Sequence, residues 1–193
     1  MRIATNSDKS LVSNILTSAF ESLDQENSIN YVVKQDNKRI ERMNVLMEYL
    51  FDRSMLFGNI FISDNEKACL LIKYPRRERL TLKTLRLDIR LAVKCIGLSR
   101  VGGILKRQRV VKKFAPIEEH ITPVILGVVE KHQGRGTAVR LMLEVKKAFA
   151  DNQLPVIIDA AAMANVEMYQ KFGFKVFGKD DSLGFPLHFL RLN

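Results

Sequence analysis

The order of patterns in the last third of this chain limits its fold more than any other feature. Thr122–Val129 is an uncharged, β-rich apolar run, short enough to be a strand covered on both faces. A polar loop, EKHQGRG, follows it, and an apolar-periodic stretch from Thr137 to Asp151 reads as a helix. Leu154–Ala160 is a second buried strand, Ala164–Phe172 a short helix, and Phe174–Gly178 and Leu187–Leu192 are final strands. Strand, helix, strand, helix, strand predicts parallel pairing and an α/β (α+β) fold.

The first two thirds add helices and a hairpin. Met1–Ala4 is a short strand candidate. Ser7 or Asp8 caps a helix to about Leu23 with Leu11, Ile15 and Ala19 in four-residue steps. Ile40–Phe51 carries a helical stripe through Met43, Leu46, Met47 and Leu50. Asn59–Ser63 and Ala68–Tyr74, separated by a turn at Asp64-Asn65, predict a β-hairpin. No repeat, low-complexity tract or Pro/Gly-rich linker divides the 193 residues, so one domain over 1–193 is expected. No apolar run is long enough to span a bilayer, and the amino terminus lacks the apolar core of a signal peptide; a cytoplasmic protein without a membrane partner is the expectation. Cys69 and Cys95 sit among apolar neighbours and read as buried free thiols. His120, His132 and His188 show no ligand spacing with them, so no metal is expected.

Charge is concentrated. Between Leu71 and Lys113 fourteen basic side chains oppose only Glu78 and Asp88, giving that segment +12, whereas the whole chain carries +10. Leu82, Leu85, Ile89, Val93 and Ile96 recur at helical spacing within it, Gly97 and Gly102-Gly103 interrupt, and Ile104–Phe114 forms a second helix. The spacing predicts that this stripe is buried under a solvated basic face. Binding of the segment to an anionic ligand, or to a nucleic-acid or membrane surface, are the other readings. Only Tyr74 and Phe114 flank the run, so the aromatic interleaving of single-strand binders is missing.

The loop after the Thr122–Val129 strand is the first site candidate. Backbone N–H groups at a helix amino terminus lack internal partners and face the positive end of the macrodipole. Such a strand–loop–helix can hold an anion, and Gly134 and Gly136 allow close backbone approach. A Walker A loop is absent, and the dinucleotide fingerprint G-x-G-x-x-G fails at Val139. A plain strand–helix turn remains open on these residues alone.

Gln133-Gly134-Arg135-Gly136-Thr137-Ala138 resembles the Q/R-x-x-G-x-G/A motif of the GNAT superfamily of acyl-CoA-dependent N-acyltransferases. Asn165, Tyr169, Gly173 and Phe174 resemble a second pattern of that family, N-x-x-x-Y-x-x-x-G-F, in the expected order and separation. The resemblance extends from about Ile121 to Leu192; upstream, only the order helix, helix, hairpin agrees.

It implies the GNAT fold, a mixed central sheet of about six to seven strands flanked by helices, here with a basic helical insertion between strands 3 and 4. It implies acetyl-CoA as co-substrate, held by Leu126, Gly127 and Val128 along the pantetheine, by Gln133, Gly134, Arg135, Gly136, Thr137 and Ala138 at the pyrophosphate, and by Asn165. Tyr169 is the implied general acid for the departing thiolate. A backbone N–H near Val128 is the implied oxyanion donor. Glu118, Glu119 and His120 are base candidates, with bridging water or a solvated strand entrance as alternatives. The implied reaction is direct attack of a primary amine of a small molecule or peptide on the thioester. A catalytically weak acyl-CoA-binding or nucleic-acid-associated module on the same fold is the alternative, and monomer and homodimer both stay open. Two departures stand out: the loop lacks the proline that relatives often carry, and Pro123 predicts that pairing of its strand begins only at Val124.

Overall fold

The structure, a computed structural model, describes residues 1–23 and 27–193. Its elements, in order, are β1 (Arg2–Ile3), α1 (Lys9–Phe20), α2 (Ser28–Val32), α3 (Arg39–Phe57), β2 (Gly58–Ile62), β3 (Ala68–Lys73), α4 (Leu82–Leu91), α5 (Val101–Phe114), β4 (Thr122–Val128), α6 (Thr137–Ala148), β5 (Val156–Ala160), α7 (Met163–Lys171), β6 (Lys175–Asp180) and β7 (Leu187–Leu192). Helices α4 and α5, the insertion between β3 and β4, are joined by a wide turn at Ala92–Ile96 and a tight one at Leu98–Arg100. The short α2 has no periodic signal; its start is set by Asn27, whose side chain accepts from the N–H groups of Ile29 and Asn30.

The strands form two antiparallel sheets, β1-β2-β3-β4 and β5-β7-β6. The predicted parallel pairing is therefore corrected. Among the described residues it survives as one bridge, Ile121 to Val156, where Ile121 donates to Pro155 and Ile157 donates to Ile121. The reason is topological: β7, last in sequence, inserts between β5 and β6, so the two strands that flank α7 are not neighbours and each pairs antiparallel with β7 instead. Beyond the bridge β4 and β5 diverge.

A bulge accompanies that divergence. Leu71 pairs with Ile125 but Ile72 pairs with Pro123, which leaves Val124 as the extra residue of β4. Pairing does not begin at Val124, as the proline predicted, but runs back through Pro123 to Thr122 opposite Lys73. The bulge accommodates the missing N–H, and the bulged strand bends.

Alternation along β2 and β3 assigns the layers. Ile60, Ile62, Cys69 and Leu71 meet α1 and α3, while Phe61, Leu70 and Ile72 meet α6. In the second sheet Ile158 and Leu190 pack with Val166 of α7, and Leu187 and Phe189 pack with α5, where Phe114 stacks on Phe189 at 4.1 Å between ring centroids.

The basic insertion overturns one expectation. Of the stripe Leu82, Leu85, Ile89, Val93 and Ile96, only Ile96 is buried. Helix α4 instead turns Thr84, Asp88, Leu91 and Cys95 inward, where the Tyr49 hydroxyl donates to Asp88 at 2.8 Å and Arg90 pairs with Glu48 at 2.6 Å. The chain thus has two faces able to pack, and the one that meets α3 carries the polar partners.

Candidate active site

The loop that follows β4 is held from behind. A single turn at Glu130–His132 takes up two N–H groups, His132 to Val129 and Gln133 to Glu130. The Gln133 side chain donates to the carbonyls of Val128 (3.2 Å) and Ala19 (3.4 Å), and Glu130 N–H donates to Ser18 Oγ. Gln133 thus pins the loop to α1 and to the end of β4, and its amide is spent on protein acceptors.

Gly134 and Gly136 have φ of 71° and 76°. A Cβ on either would touch nothing within 4 Å, so glycine is required by conformation, not space. Gly136 is the amino-terminal cap of α6, and the first helical bond runs from Arg140 N–H to Gly136 O. The N–H groups of Thr137, Ala138 and Val139 precede that bond and have no acceptor within the helix. With the helix dipole they make a site for an anion. Arg135 is exposed beside it.

The edge of β4 supplies the next polar groups. Val129 N–H donates to Lys67 O of the neighbouring strand. By alternation the N–H and C=O groups of Leu126 and Val128 point the other way, into the opening between β4 and β5. That opening continues as a cleft of about 620 Å³ whose walls include Leu126, Lys146, Asp159, Tyr169 and Phe172. Gly127 faces away from it: a Cβ there would lie 2.7 Å from Leu16 Cδ2 and 3.3 Å from Ala19 Cβ. Its lack of a side chain lets α1 lie close on β4. Asn165 is exposed in the first turn of α7 and does not line the cleft.

Tyr169 sits on the wall opposite β4. Its ring packs against Phe174 at 5.7 Å, and its hydroxyl bonds to no described residue. Burial first, then the negative charge of Asp159, raises the phenol's pKa above its ordinary value. The group therefore keeps its proton and can donate it. Asp159 is held by Arg107 of α5 at 2.5 Å, and Arg107 Nε is buried without a partner among the described residues. Sequence reading missed this pair; its one signal was a lone acid inside the buried run LPVIIDAA.

At the foot of β4, Glu118 accepts from Arg191 at 2.6 Å, which holds its carboxyl below the usual range, and Glu119 pairs with Arg77 at 3.4 Å. His120 is buried and its Nδ1 donates to Glu118 O at 3.0 Å. Burial pushes the Cys69 thiol up, and the Cys95 thiol up to about 12, so both stay protonated and inert. Among the described residues no group of three or more His, Cys, Asp or Glu could hold a metal ion, and no helix is long and apolar enough to cross a membrane.

Residues 114–182, which contain β4, the glycine loop, α6 and α7, match the family model described as Acetyltransferase (GNAT) domain. That stretch is similar to the GNAT acetyltransferase domain. Solved structures agree with that fold. One of them, described as histone acetyltransferase HPA2 and related acetyltransferase from Corynebacterium glutamicum, is similar over 98% of this chain and 93% of its own, with a TM-score of 0.67 and 14% identity. An N-acetyltransferase from Staphylococcus aureus covers 100% of both chains at a TM-score of 0.54 and 12% identity. A Drosophila melanogaster polyamine N-acetyltransferase covers 100% of this chain and 98% of its own at 0.57 and 13%. The search among curated proteins found no match. The amino terminus of α6 and much of the cleft wall fall within the matched residues.

Proposed function

We propose that this protein transfers an acetyl group from acetyl-CoA to the primary amine of a small molecule or peptide, by direct attack within a ternary complex. The observation that carries this reading is the pairing of two features on one strand–loop–helix unit: N–H groups at the start of α6 with no acceptor within the helix, and the outward-facing edge of β4, where Leu126 enters the cleft that also holds Tyr169, whose hydroxyl bonds to no described residue. One structural relative is a polyamine N-acetyltransferase, and its kind of substrate agrees with an amine acceptor here.

In this reading Gly134 to Ala138 hold the pyrophosphate through backbone amides, and Gln133 keeps the loop in place. Leu126 and Val128 pair with the pantetheine arm, Gly127 lets α1 support that strand, and Asn165 meets the arm from the rim. Arg135 adds charge but no required bond. As the amine nitrogen bonds to the thioester carbon, the Val128 N–H stabilises the oxyanion. The carbon–sulfur bond then breaks, the Tyr169 hydroxyl gives its proton to the sulfur, and the proton lost by the amine restores the phenol by way of solvent.

The ion pairs at Glu118 and Glu119 favour the second reading, an acyl-CoA-binding module with weak catalysis, because both carboxylates are engaged by arginines, Glu118 by Arg191 and Glu119 by Arg77. Tyr169→Phe separates the two. Turnover, followed by release of free thiol from acetyl-CoA over an amine panel, falls at least about tenfold while CoA affinity changes little, the signature of a group acting in the transition state. Unchanged turnover removes Tyr169 from the reaction; no thiol release from the parent protein with any amine supports the binding module.

A further inference from the structure

Helix α4 and its following turn have three faces. One packs inward through Thr84, Asp88, Leu91 and Cys95. A second carries Lys83, Arg86, Arg90 and Lys94, at steps of three and four residues. The third carries Leu82, Leu85, Ile89 and Val93, exposed by 88%, 45%, 56% and 55%. Leu80 and Leu98 continue this bare line at both ends, also exposed. At 1.5 Å per residue the line from Leu82 to Val93 is about 17 Å long.

Surface helices normally turn their aliphatic stripe toward the core. Here the core side is already filled by other residues of the same helix. A contiguous exposed aliphatic line marks a docking surface, and two further observations say what it docks on. The line is a convex ridge, so its counterpart has to yield around it. Its flank is basic: Lys83, Arg86 and Lys94 face outward with no acid among them, Arg90 alone being paired with Glu48, and the segment from Leu71 to Lys113 carries +12. A medium apolar inside and anionic at its surface fits both. Pairing of two copies ridge to ridge brings basic flanks together and is disfavoured by like charge.

We propose that α4 is a peripheral membrane-docking helix. It lies in the plane of an anionic bilayer surface with Leu82, Leu85, Ile89 and Val93 in the headgroup–acyl boundary. Lys83, Arg86 and Lys94 reach lipid phosphates by extending their stems along the apolar ridge. This departs from the expectation of no membrane partner, which rested on the lack of a bilayer-spanning run and of a signal peptide, and takes up the membrane-surface reading of the basic segment.

The chain has no tryptophan, so Leu85→Trp creates a single fluorescent reporter on the ridge. Mixed with phosphatidylcholine vesicles containing about 30% phosphatidylserine, a composition with an anionic surface, its emission shifts to the blue. With phosphatidylcholine alone the shift is much smaller. In co-sedimentation of the parent chain with the anionic vesicles, Leu85→Asp/Ile89→Asp lowers partitioning at least about tenfold, since two aliphatic insertions are lost. Lys83→Glu/Arg86→Glu/Lys94→Glu lowers it as much at about 0.1 M salt and less at about 1 M, where charge is screened. Leu85→Ser/Ile89→Ser replaces the aspartates if these lower the melting temperature. The proposal is overturned if no vesicle binding occurs, or if neutral and anionic vesicles bind alike. It is also overturned if the ridge variants bind as the parent does. Binding of poly-glutamate in place of vesicles points to an acidic protein partner and refutes it, as does a dimer that the ridge variants abolish.

Discussion

Gly127→Ala tests how the strand at the centre of the site is supported. The new Cβ would lie 2.7 Å from Leu16 Cδ2 and 3.3 Å from Ala19 Cβ, against an ordinary carbon contact of about 3.5–4.0 Å. Leu16 is fully buried in the cluster around α1 and α3, so its side chain cannot swing aside without displacing neighbours. Overpacking of this kind costs about 1–3 kcal/mol. The restricted unfolded chain returns up to about 1 kcal/mol. A net loss of about 1–2 kcal/mol follows, which for a chain of this size lowers the melting temperature by about 2–8 °C. The decisive assay is the same substitution on a Leu16→Ala background. Leu16→Ala alone costs about 2–5 kcal/mol, but it removes the obstructing atom, so adding Gly127→Ala there is neutral or stabilising. The coupling between the two sites is then at least about 1 kcal/mol, measured from urea unfolding of the four chains. Equal losses on both backgrounds, additive within about 0.5 kcal/mol, would refute the packing explanation. Loss of acetyl-CoA binding with unchanged melting would do the same, since it would put Gly127 in the cleft.

The loop glycines and the arginine between them should separate cleanly. Gly134→Ala or Gly136→Ala forces a side chain into left-handed backbone at a cost of about 1–2 kcal/mol and lowers CoA affinity at least about tenfold in calorimetry, whereas Arg135→Ala changes it by less than about threefold; the reverse order would make the side chain, not the amides, the anion ligand. The pH profile of turnover follows from the raised phenol of Tyr169. Because the protonated form is the one that donates, activity rises with pH as the acceptor amine loses its proton, and it turns down only above the ordinary phenol value of about 10. A fall centred below about pH 9 contradicts the role, and Tyr169→Phe should remove the alkaline limb altogether.

Local chemistry made β4, its loop and α6 legible, because a buried strand, two glycines and an amphipathic helix each leave a pattern within a few residues. The pairing of β7 between β5 and β6 left none: it joins segments whose own patterns are equally served by a parallel sheet. Val124 looked like the start of a ladder because Pro123 lacks an N–H, yet a bulge absorbs that defect without ending the pairing. Gly127, grouped by resemblance with the cofactor contacts, is instead placed against Leu16, a contact between residues far apart in sequence. The Arg107–Asp159 pair was hidden for the same reason, one partner lying among many surface charges and the other in an apolar strand. The exposed line on α4 shows the limit of periodicity itself: it reveals that a helix has an apolar stripe, but a helix with two stripes does not announce which one meets the core.

Everything in the proposed reaction depends on CoA being bound jointly by the amino terminus of α6 and the open edge of β4. Backbone amide resonances of the labelled protein, followed while CoA is added, report on both at once. Saturable shifts are expected at Leu126, Val128 and Gly134 to Val139, with the loop shifts absent when pantetheine, which lacks the pyrophosphate, replaces CoA. Shifts centred elsewhere, or loop shifts of equal size with pantetheine, would contradict that mode of binding.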